Sequence, residues 1–183
     1  MAIIYVQPPQ ELPITLDEAR IQCMLDADLT DENSLIESLI ASAVDVCQRY
    51  TGRPLMSQQM RYVGGFKSCV ELSPNLLSVE SVAYIDQSGD EQTLASDQYY
   101  VDKASIVGGV SPIGSWPDVN RNHPQPVVIE FTAGYEQVPD SIKQCIRLLV
   151  GHWFRNRDSM GSVSDGLKYS VDSLLGSHRV LGF

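Results

Sequence analysis

Three histidines are the residues of this chain best suited to acid–base chemistry, and they stand in unrelated contexts. His123 lies in a loop-like stretch, His152 on the flank of a helical segment and His178 near the C-terminus. His152 has Cys145 and Asp158 within two helical turns, but neither lies one helical step away, as a catalytic partner on the same helix would. The sequence contains neither HExxH nor GxSxG. We therefore expect His152 to be a boundary residue of a packed helix, and we assign no catalytic residue.

Metal and cofactor sites are not predicted either. Cys23, Cys47, Cys69 and Cys145 are far apart and form no CxxC cluster, so buried reduced thiols are expected. The acidic stretch "DADLTDEN" lacks the ordered alternation and the following Glu of an EF-hand loop. The stretch "VGGVSPIG" lacks the Lys-Ser/Thr of a phosphate-binding P-loop, which favours a surface loop.

Charge and hydropathy bound the class of protein. The net charge is -10, and it is uneven, since residues 136–183 hold five acidic and six basic side chains. A protein this acidic does not grip phosphate backbones over a broad surface, although DNA could pass along it without sticking. No run of about 18 apolar residues exists, so no membrane span is expected. The N-terminal residues "MAIIYVQPPQELP" lack a basic region, which argues against a secretory signal and for synthesis in the cytoplasm.

The stretch "IKQCIRLLVGHWFRNRD" combines a tryptophan and four basic side chains within one predicted helix, about 139–158. At 100° per residue its apolar side chains fall on one face, which predicts a core-closing helix with Trp153 pointing inward. Arg147, Arg155 and Arg157 are candidates for a contact with an acidic neighbouring subunit. Alternatively, Arg155 and Arg157 simply complement the negative end of the helix dipole.

Two further helices are predicted at about 15–26 and 31–51. Thr15 and Glu18 have capping-box spacing at the start of the first helix. Thr30 or Asp31 can cap the second helix, which carries an apolar stripe and is stopped by Gly52 and the proline after it.

The remaining chain is β-rich or irregular. Residues 57–135 contain short runs rich in Val, Ile, Tyr and Phe, with a hairpin turn at "DQSGDE" and a Gly/Pro/Asn-rich loop at 103–126. Residues 159–166 have the composition of a flexible linker, and the chain ends in an apolar tail. The expected fold is α+β, with a helical core, a β-rich insertion and a C-terminal arm. The expected organisation is one domain over 1–160, followed by a linker and arm over 161–183.

The order of these segments resembles the head–tail connector (adaptor) proteins of tailed bacteriophages. The residues that carry the resemblance are "PITLDEARIQCML", "DENSLIESLIASAVDVCQRYTGRPL" and "VVIEFTAGYEQVPDSIKQCIRLLVGHWFRNRD". The match runs from about residue 12 to 158, with a weaker echo in "VDSLLGSHR", and the 57–135 insertion places the chain among the longer members. Phe154 stands where many relatives have Tyr.

The resemblance implies a structural virion protein at the head–tail junction, made in the host bacterial cytoplasm, without enzymatic activity or cofactors. It implies a ring of about twelve copies under the portal protein, which extends the DNA channel and provides the platform for a stopper or other tail-proximal neck protein. Double-stranded DNA would pass through without specific binding. A C-terminal segment would dock on the portal, with these candidate residues: Val171, Leu174, Leu175, His178, Arg179, Val180, Leu181 and Phe183. Alternatively, this tail folds back on its own core.

Three alternatives stay open at this point. The first is another neck or tail-completion protein, such as a stopper or tail terminator, although those are mostly β-rich. The second is a small hydrolase that uses His152 or His123 with a nearby aspartate. The third is a DNA-binding regulator, which the net charge disfavours.

Overall fold

The computed structural model describes residues 2–6, 9, 11–25, 30–157 and 165–180, and the chain forms two compact units. The β unit contains Met1–Pro9 and Ser57–Glu136, and the helical unit contains Gln10–Met56 and Gln137–Phe183. Helices and antiparallel sheets are both present, which confirms the α+β class. The described residues 165–180 belong to the helical unit, and the organisation into a connector domain over 1–160 with an arm over 161–183 stays a prediction.

The described part of the helical unit contains four helices. They are α1 (Leu16–Cys23), α2 (Asn33–Thr51), α3 (Asp140–Arg155) and α4 (Asp165–Leu175), with a 3-10 turn at Gly176–His178. Helix α3 contacts each of the other three, so it is the centre of the unit. None of the described helices is both long and apolar enough to cross a membrane.

The ends of the first two helices follow from particular residues. The capping box at α1 is confirmed, because the Thr15 hydroxyl accepts a hydrogen bond from the Glu18 N–H and the Glu18 carboxylate accepts one from the Thr15 N–H. The predicted cap of α2 was wrong: its N-cap is Glu32, whose side chain makes no capping bond. Gly52 ends α2 as predicted, with a φ of 67° that favours glycine.

The helical core matches the apolar stripes seen in the sequence. Its buried apolar side chains on the helices are Ala19, Cys23, Ile36, Leu39, Ile40, Ala43, Val44, Cys47, Ile142, Cys145, Ile146, Leu149, Val150, Trp153 and Leu175. The inward position of Trp153 is thereby confirmed. The Sγ atoms of Cys47 and Cys145 lie 3.8 Å apart between α2 and α3, and both cysteines are free. The hydrogen bond to the Cys145 thiol and the burial of the side chain both raise the pKa of Cys47. The Cys47 thiol therefore stays neutral and serves as a packing residue.

The described residues of the β unit form two antiparallel sheets. Its strands are β1 (Ala2–Tyr5), β2 (Gln58–Gly64), β3 (Val70–Pro74), β4 (Leu76–Ile85), β5 (Glu91–Thr93), β6 (Tyr99–Asp102), β7 (Val107–Pro112) and β8 (Val127–Ala133). The five-stranded sheet has the order β1-β2-β8-β4-β5, and the three-stranded sheet has the order β3-β7-β6. Alternate residues of β8, from Val127 to Ala133, are buried, and side chains from both sheets join them in a single apolar core.

Strand β7 corrects an expectation, because "VGGVSP" was predicted to be part of a loop. A Cβ on Gly109 would lie 2.5 Å from the carbonyl oxygen of Val70, and a Cβ on Gly108 would lie 2.5 Å from the Cβ of Leu76. The two glycines are therefore required because β7 lies too close to Val70 and Leu76 to accommodate a side chain, and not because a loop must be flexible.

The rest of the 103–126 stretch is irregular but attached to the β unit. The Trp116 indole N–H donates to the carbonyl oxygen of Lys67 at 2.5 Å, and its ring stacks on Phe66 with centroids 4.2 Å apart. The backbone N–H of Asn120 donates to the carbonyl oxygen of Ile85. These contacts give the loop a defined path across the β unit.

Candidate interaction surfaces

The basic face of α3 has acidic partners within its own chain. Arg147 forms an ion pair with Glu18 at 2.5 Å. The same Glu18 carboxylate accepts the backbone N–H of Thr15 at 2.7 Å, so one side chain ties the start of α1 to α3. The Thr15 N–H and then the Arg147 guanidinium hold the pKa of Glu18 below its usual value.

The other two predicted arginines are also engaged. The Arg155 Nε–H donates to the carbonyl oxygen of Gly151 at 3.0 Å, one turn earlier on α3. Arg157 pairs with Glu32 at 2.9 Å and lies 4.9 Å from the ring centroid of Phe154. Sequence spacing could not reveal the Glu18 and Glu32 pairs, because each joins residues more than a hundred positions apart. The contact of these arginines with a neighbouring subunit stays a prediction.

His152 has no geometry for catalysis among the described residues. Its Nδ1 lies 3.4 Å from the side-chain nitrogen of Asn156, and its buried Nε2 has no hydrogen-bond partner within the described part of the chain. His123 accepts a hydrogen bond from the Gln125 N–H in an exposed loop. No group of three or more His, Cys, Asp or Glu side chains able to hold a metal ion occurs in the described ranges.

The C-terminal segment, defined as residues 165–180, packs on α3 and on the end of α2. The Tyr50 hydroxyl donates to the Asp172 carboxylate at 2.7 Å, a bond that raises the pKa of Tyr50. Arg179 lies 5.6 Å from the Tyr50 ring centroid, and the Val180 N–H donates to the carbonyl oxygen of Thr51 at 2.8 Å. The run "YTGR", which contains the glycine that ends α2, therefore also binds this segment.

Two further contacts hold the same segment. The Arg53 Nε–H donates to the carbonyl oxygen of His178 at 2.8 Å, and the His178 ring nitrogen Nε2 shares a 2.8 Å hydrogen bond with the Ser141 hydroxyl. Leu175 is fully buried in the helical unit.

These contacts divide the residues predicted to dock on the portal. Leu175 and Val180 are buried within the helical unit; Val171, Leu174 and His178 are half-buried, and Arg179 is exposed. Leu181 and Phe183 lie outside the described residues. Part of the segment predicted to dock is therefore covered by its own helical unit, and its docking on the portal stays a prediction.

The sequence of the chain matches a known protein family. A family model described as head completion protein matches residues 14–167 of the chain. No curated protein matches the chain.

Solved structures from gene transfer agent (GTA) particles share the fold. The chain is similar to a protein in the neck of the empty GTA particle computed with C6 symmetry, with 20% identity, a TM-score of 0.81 and coverage of 100% of this chain and 99% of that chain. A protein of the native GTA virion matches with 20% identity, the same coverage and a TM-score of 0.79. A third, from the neck of the native GTA particle computed with C12 symmetry, matches with 19% identity, the same coverage and a TM-score of 0.72.

Proposed function

Because the chain belongs to the head completion protein family, we propose that it is a structural neck protein at the head–tail junction of a phage or phage-like virion. Within the neck it acts as the adaptor: about twelve copies form a ring under the portal protein and extend the DNA channel. The ring provides the platform on which a stopper or other tail-proximal protein attaches the tail. The observation that carries the proposal is the family match over residues 14–167.

The fold comparison supports the ring. The structures that match this chain over its full length include neck proteins from particles computed with C6 and C12 symmetry. Closed cyclic symmetry requires each copy to present two different, complementary surfaces to its neighbours. A ring around a duplex that must move also needs a surface that repels phosphate, and the net charge of -10 provides repulsion of that sign.

A non-enzymatic role fits the histidines. A catalytic histidine is typically hydrogen-bonded to a nucleophile and oriented by a further group, and His152 has only the Asn156 amide at 3.4 Å within the described residues. The Ser141–His178 pair contributes to a contact that holds the C-terminal segment. The hydrolase alternative therefore has no observation in its favour.

Docking of the C-terminal segment on the portal belongs to the same proposal. In the folded chain Arg179 is available at the surface and Val171 and Leu174 are partly available, whereas Leu175 and Val180 are covered. Contact through the covered pair requires the segment to leave α3 and the end of α2. Contact through the exposed residues does not.

Deleting the gene from a phage genome that encodes this protein tests the function. We expect DNA-filled heads without attached tails, seen by electron microscopy, and rescue by a complementing wild-type copy. A His152→Gln copy should rescue equally well, because the histidine has no catalytic part. Tailed, infectious particles at the wild-type level without the gene would contradict the proposal.

Cross-linking within the rescued particles then separates the adaptor from the other neck proteins. Cross-links between this protein and the portal are expected for the adaptor. Cross-links to tail proteins alone would favour the stopper or tail-terminator alternative instead.

A further inference from the structure

Strand β1 leaves an unusual open edge on the five-stranded sheet. Its inner side pairs with β2, and no strand among the described residues pairs with its outer side. Ile4 is 49% exposed, Tyr5 is 63% exposed and the following Val6 is 43% exposed. An open strand edge offers unpaired backbone N–H and C=O groups, and proteins normally protect it with charged residues, prolines or bulges. Residues 2–6, "AIIYV", contain no charged residue and no proline.

Because the chain is strongly acidic, the uncharged edge of β1 is a surface at which two copies can approach each other with little repulsion. Two copies that each carry a net charge of -10 repel one another over most of their surfaces. The uncharged residues 2–6 reduce that repulsion locally, and their apolar side chains gain from burial. The occupant that this edge fits is therefore a second strand from another copy, added by β-augmentation.

Three other strands of the β unit are sheet edges, and they differ in how well they could receive β1. Strand β5 has only three residues, Glu91–Thr93, all exposed and polar. Strand β3 changes register between Glu71 and Ser73 and ends at Pro74, which cannot donate a hydrogen bond. Both are poor partners for a regular four-residue ladder.

Strand β6 is the better partner. It has four residues, as β1 has, and it pairs with β7 on one side only. Tyr100 in the middle of β6 is 61% exposed. The Asp102 carboxylate at its end accepts hydrogen bonds from the N–H groups of Ala104 and Ser105, so its charge is directed into the following turn.

We propose that β1 of one copy pairs with the open edge of β6 in the next copy, and that this pairing joins the β units around the ring. The inference rests on the proposed ring. A cyclic ring needs a contact between two different surfaces, which β1 and β6 provide, whereas β1 pairing with itself would close a dimer. The result is a continuous apolar contact that salt does not screen.

Cysteine cross-linking in assembled particles tests the pairing. In a Cys69→Ser background, which removes the exposed native thiol, Ile4→Cys and Tyr100→Cys are made as separate variants and expressed together during particle assembly. Facing residues on paired strands lie about 5 Å apart and diagonal ones about 7–8 Å apart, so a short bismaleimide spans either arrangement. The matched control replaces Ile4→Cys with Gln87→Cys, an exposed residue in the turn between β4 and β5.

The expected result is a cross-linked dimer in the mixture of Ile4→Cys and Tyr100→Cys. No such dimer is expected from either variant alone or from the control mixture of Gln87→Cys and Tyr100→Cys. A dimer from Ile4→Cys alone would mean that β1 pairs with itself and would overturn the proposal. A cross-link from Ile4→Cys to the portal or a tail protein, or no cross-link at all, would overturn it too. These outcomes require the protein to be present in purified particles; its absence from them would contradict the proposed function instead.

Discussion

Two adjacent glycines in β7 show that a missing side chain can be a structural requirement. The Cβ of an alanine at 109 would lie 2.5 Å from the carbonyl oxygen of Val70, a backbone atom that cannot rotate away. We predict that Gly109→Ala lowers the free energy of unfolding by about 1–3 kcal/mol, the usual cost of overpacking. Urea denaturation followed by circular dichroism measures it.

Gly65→Ala is the matched control, because nothing lies within 4 Å of a Cβ at that position. It should leave the urea midpoint nearly unchanged. Equal effects of the two substitutions would mean that backbone entropy, and not close approach of the β7 and β3 backbones, decides the stability at 109.

Glu18 links stability to pH through two partners. The Thr15 N–H and the Arg147 guanidinium lower its pKa in the folded chain, while the unfolded value is about 4.3. A depressed folded pKa stabilises the protein above the unfolded value, and this contribution is lost as pH falls through the folded pKa. We predict that Glu18→Gln destabilises the protein at pH 7 and that the difference from wild type shrinks below about pH 4.3.

The measurement is the urea midpoint of both proteins at a series of pH values. Glu37→Gln provides the comparison, since Glu37 is an exposed residue of α2. A wild-type advantage over Glu18→Gln that stays constant down to pH 3 would show that its carboxylate charge is not the cause.

At the scale of elements, local signals predicted well and distant ones did not. The capping box and the three-and-four spacing of apolar residues lie within single helices, so α1 to α3 were predictable. Strand β7 was missed because Gly108 and Gly109 look like loop residues until the neighbouring strands are known. Strand β1 was missed because its partner, β2, begins more than fifty residues later. The Arg147–Glu18 pair escaped prediction for the same reason.

The C-terminal segment is an element whose attachment can be weakened selectively. Arg53 donates to the carbonyl oxygen of His178. We predict that Arg53→Ala speeds amide hydrogen exchange in residues 175–180 roughly fivefold, because a lost hydrogen bond of about 1 kcal/mol favours local opening. Hydrogen exchange with mass spectrometry measures the change peptide by peptide.

Arg49→Ala controls for the loss of a positive charge, because Arg49 is exposed and pairs with Asp45 one turn away on α2. Exchange in residues 175–180 should stay at the wild-type rate in this variant. Equal acceleration in both variants would mean that general charge effects, and not the bond to His178, hold the segment.

On the scale of the whole molecule, the arrangement of charge matters more than its sum. Six of the thirteen basic side chains lie in residues 136–183, where they could have formed a surface for phosphate. Two of the arginines there, Arg147 and Arg157, are instead paired with Glu18 and Glu32 within the helical unit. The ion pair between an arginine and a carboxylate must break before the guanidinium can bind a phosphate, and this cost weakens the attraction for DNA.

Duplex DNA should therefore fail to bind the wild-type protein, even at about 50 mM salt where phosphate contacts are strongest. The double variant Glu18→Gln, Glu32→Gln releases both arginines and removes two negative charges, so we predict weak retention of DNA on a filter that disappears at about 200 mM salt. The double variant Glu11→Gln, Glu37→Gln changes the net charge equally at two exposed positions and leaves these two pairs intact, so it separates the released arginines from the change in net charge. Retention of DNA by the wild-type protein at low salt would contradict a channel surface that lets DNA pass freely. Retention by the Glu18→Gln, Glu32→Gln variant alone would show that the internal ion pairs keep the basic residues at α3 from binding the duplex.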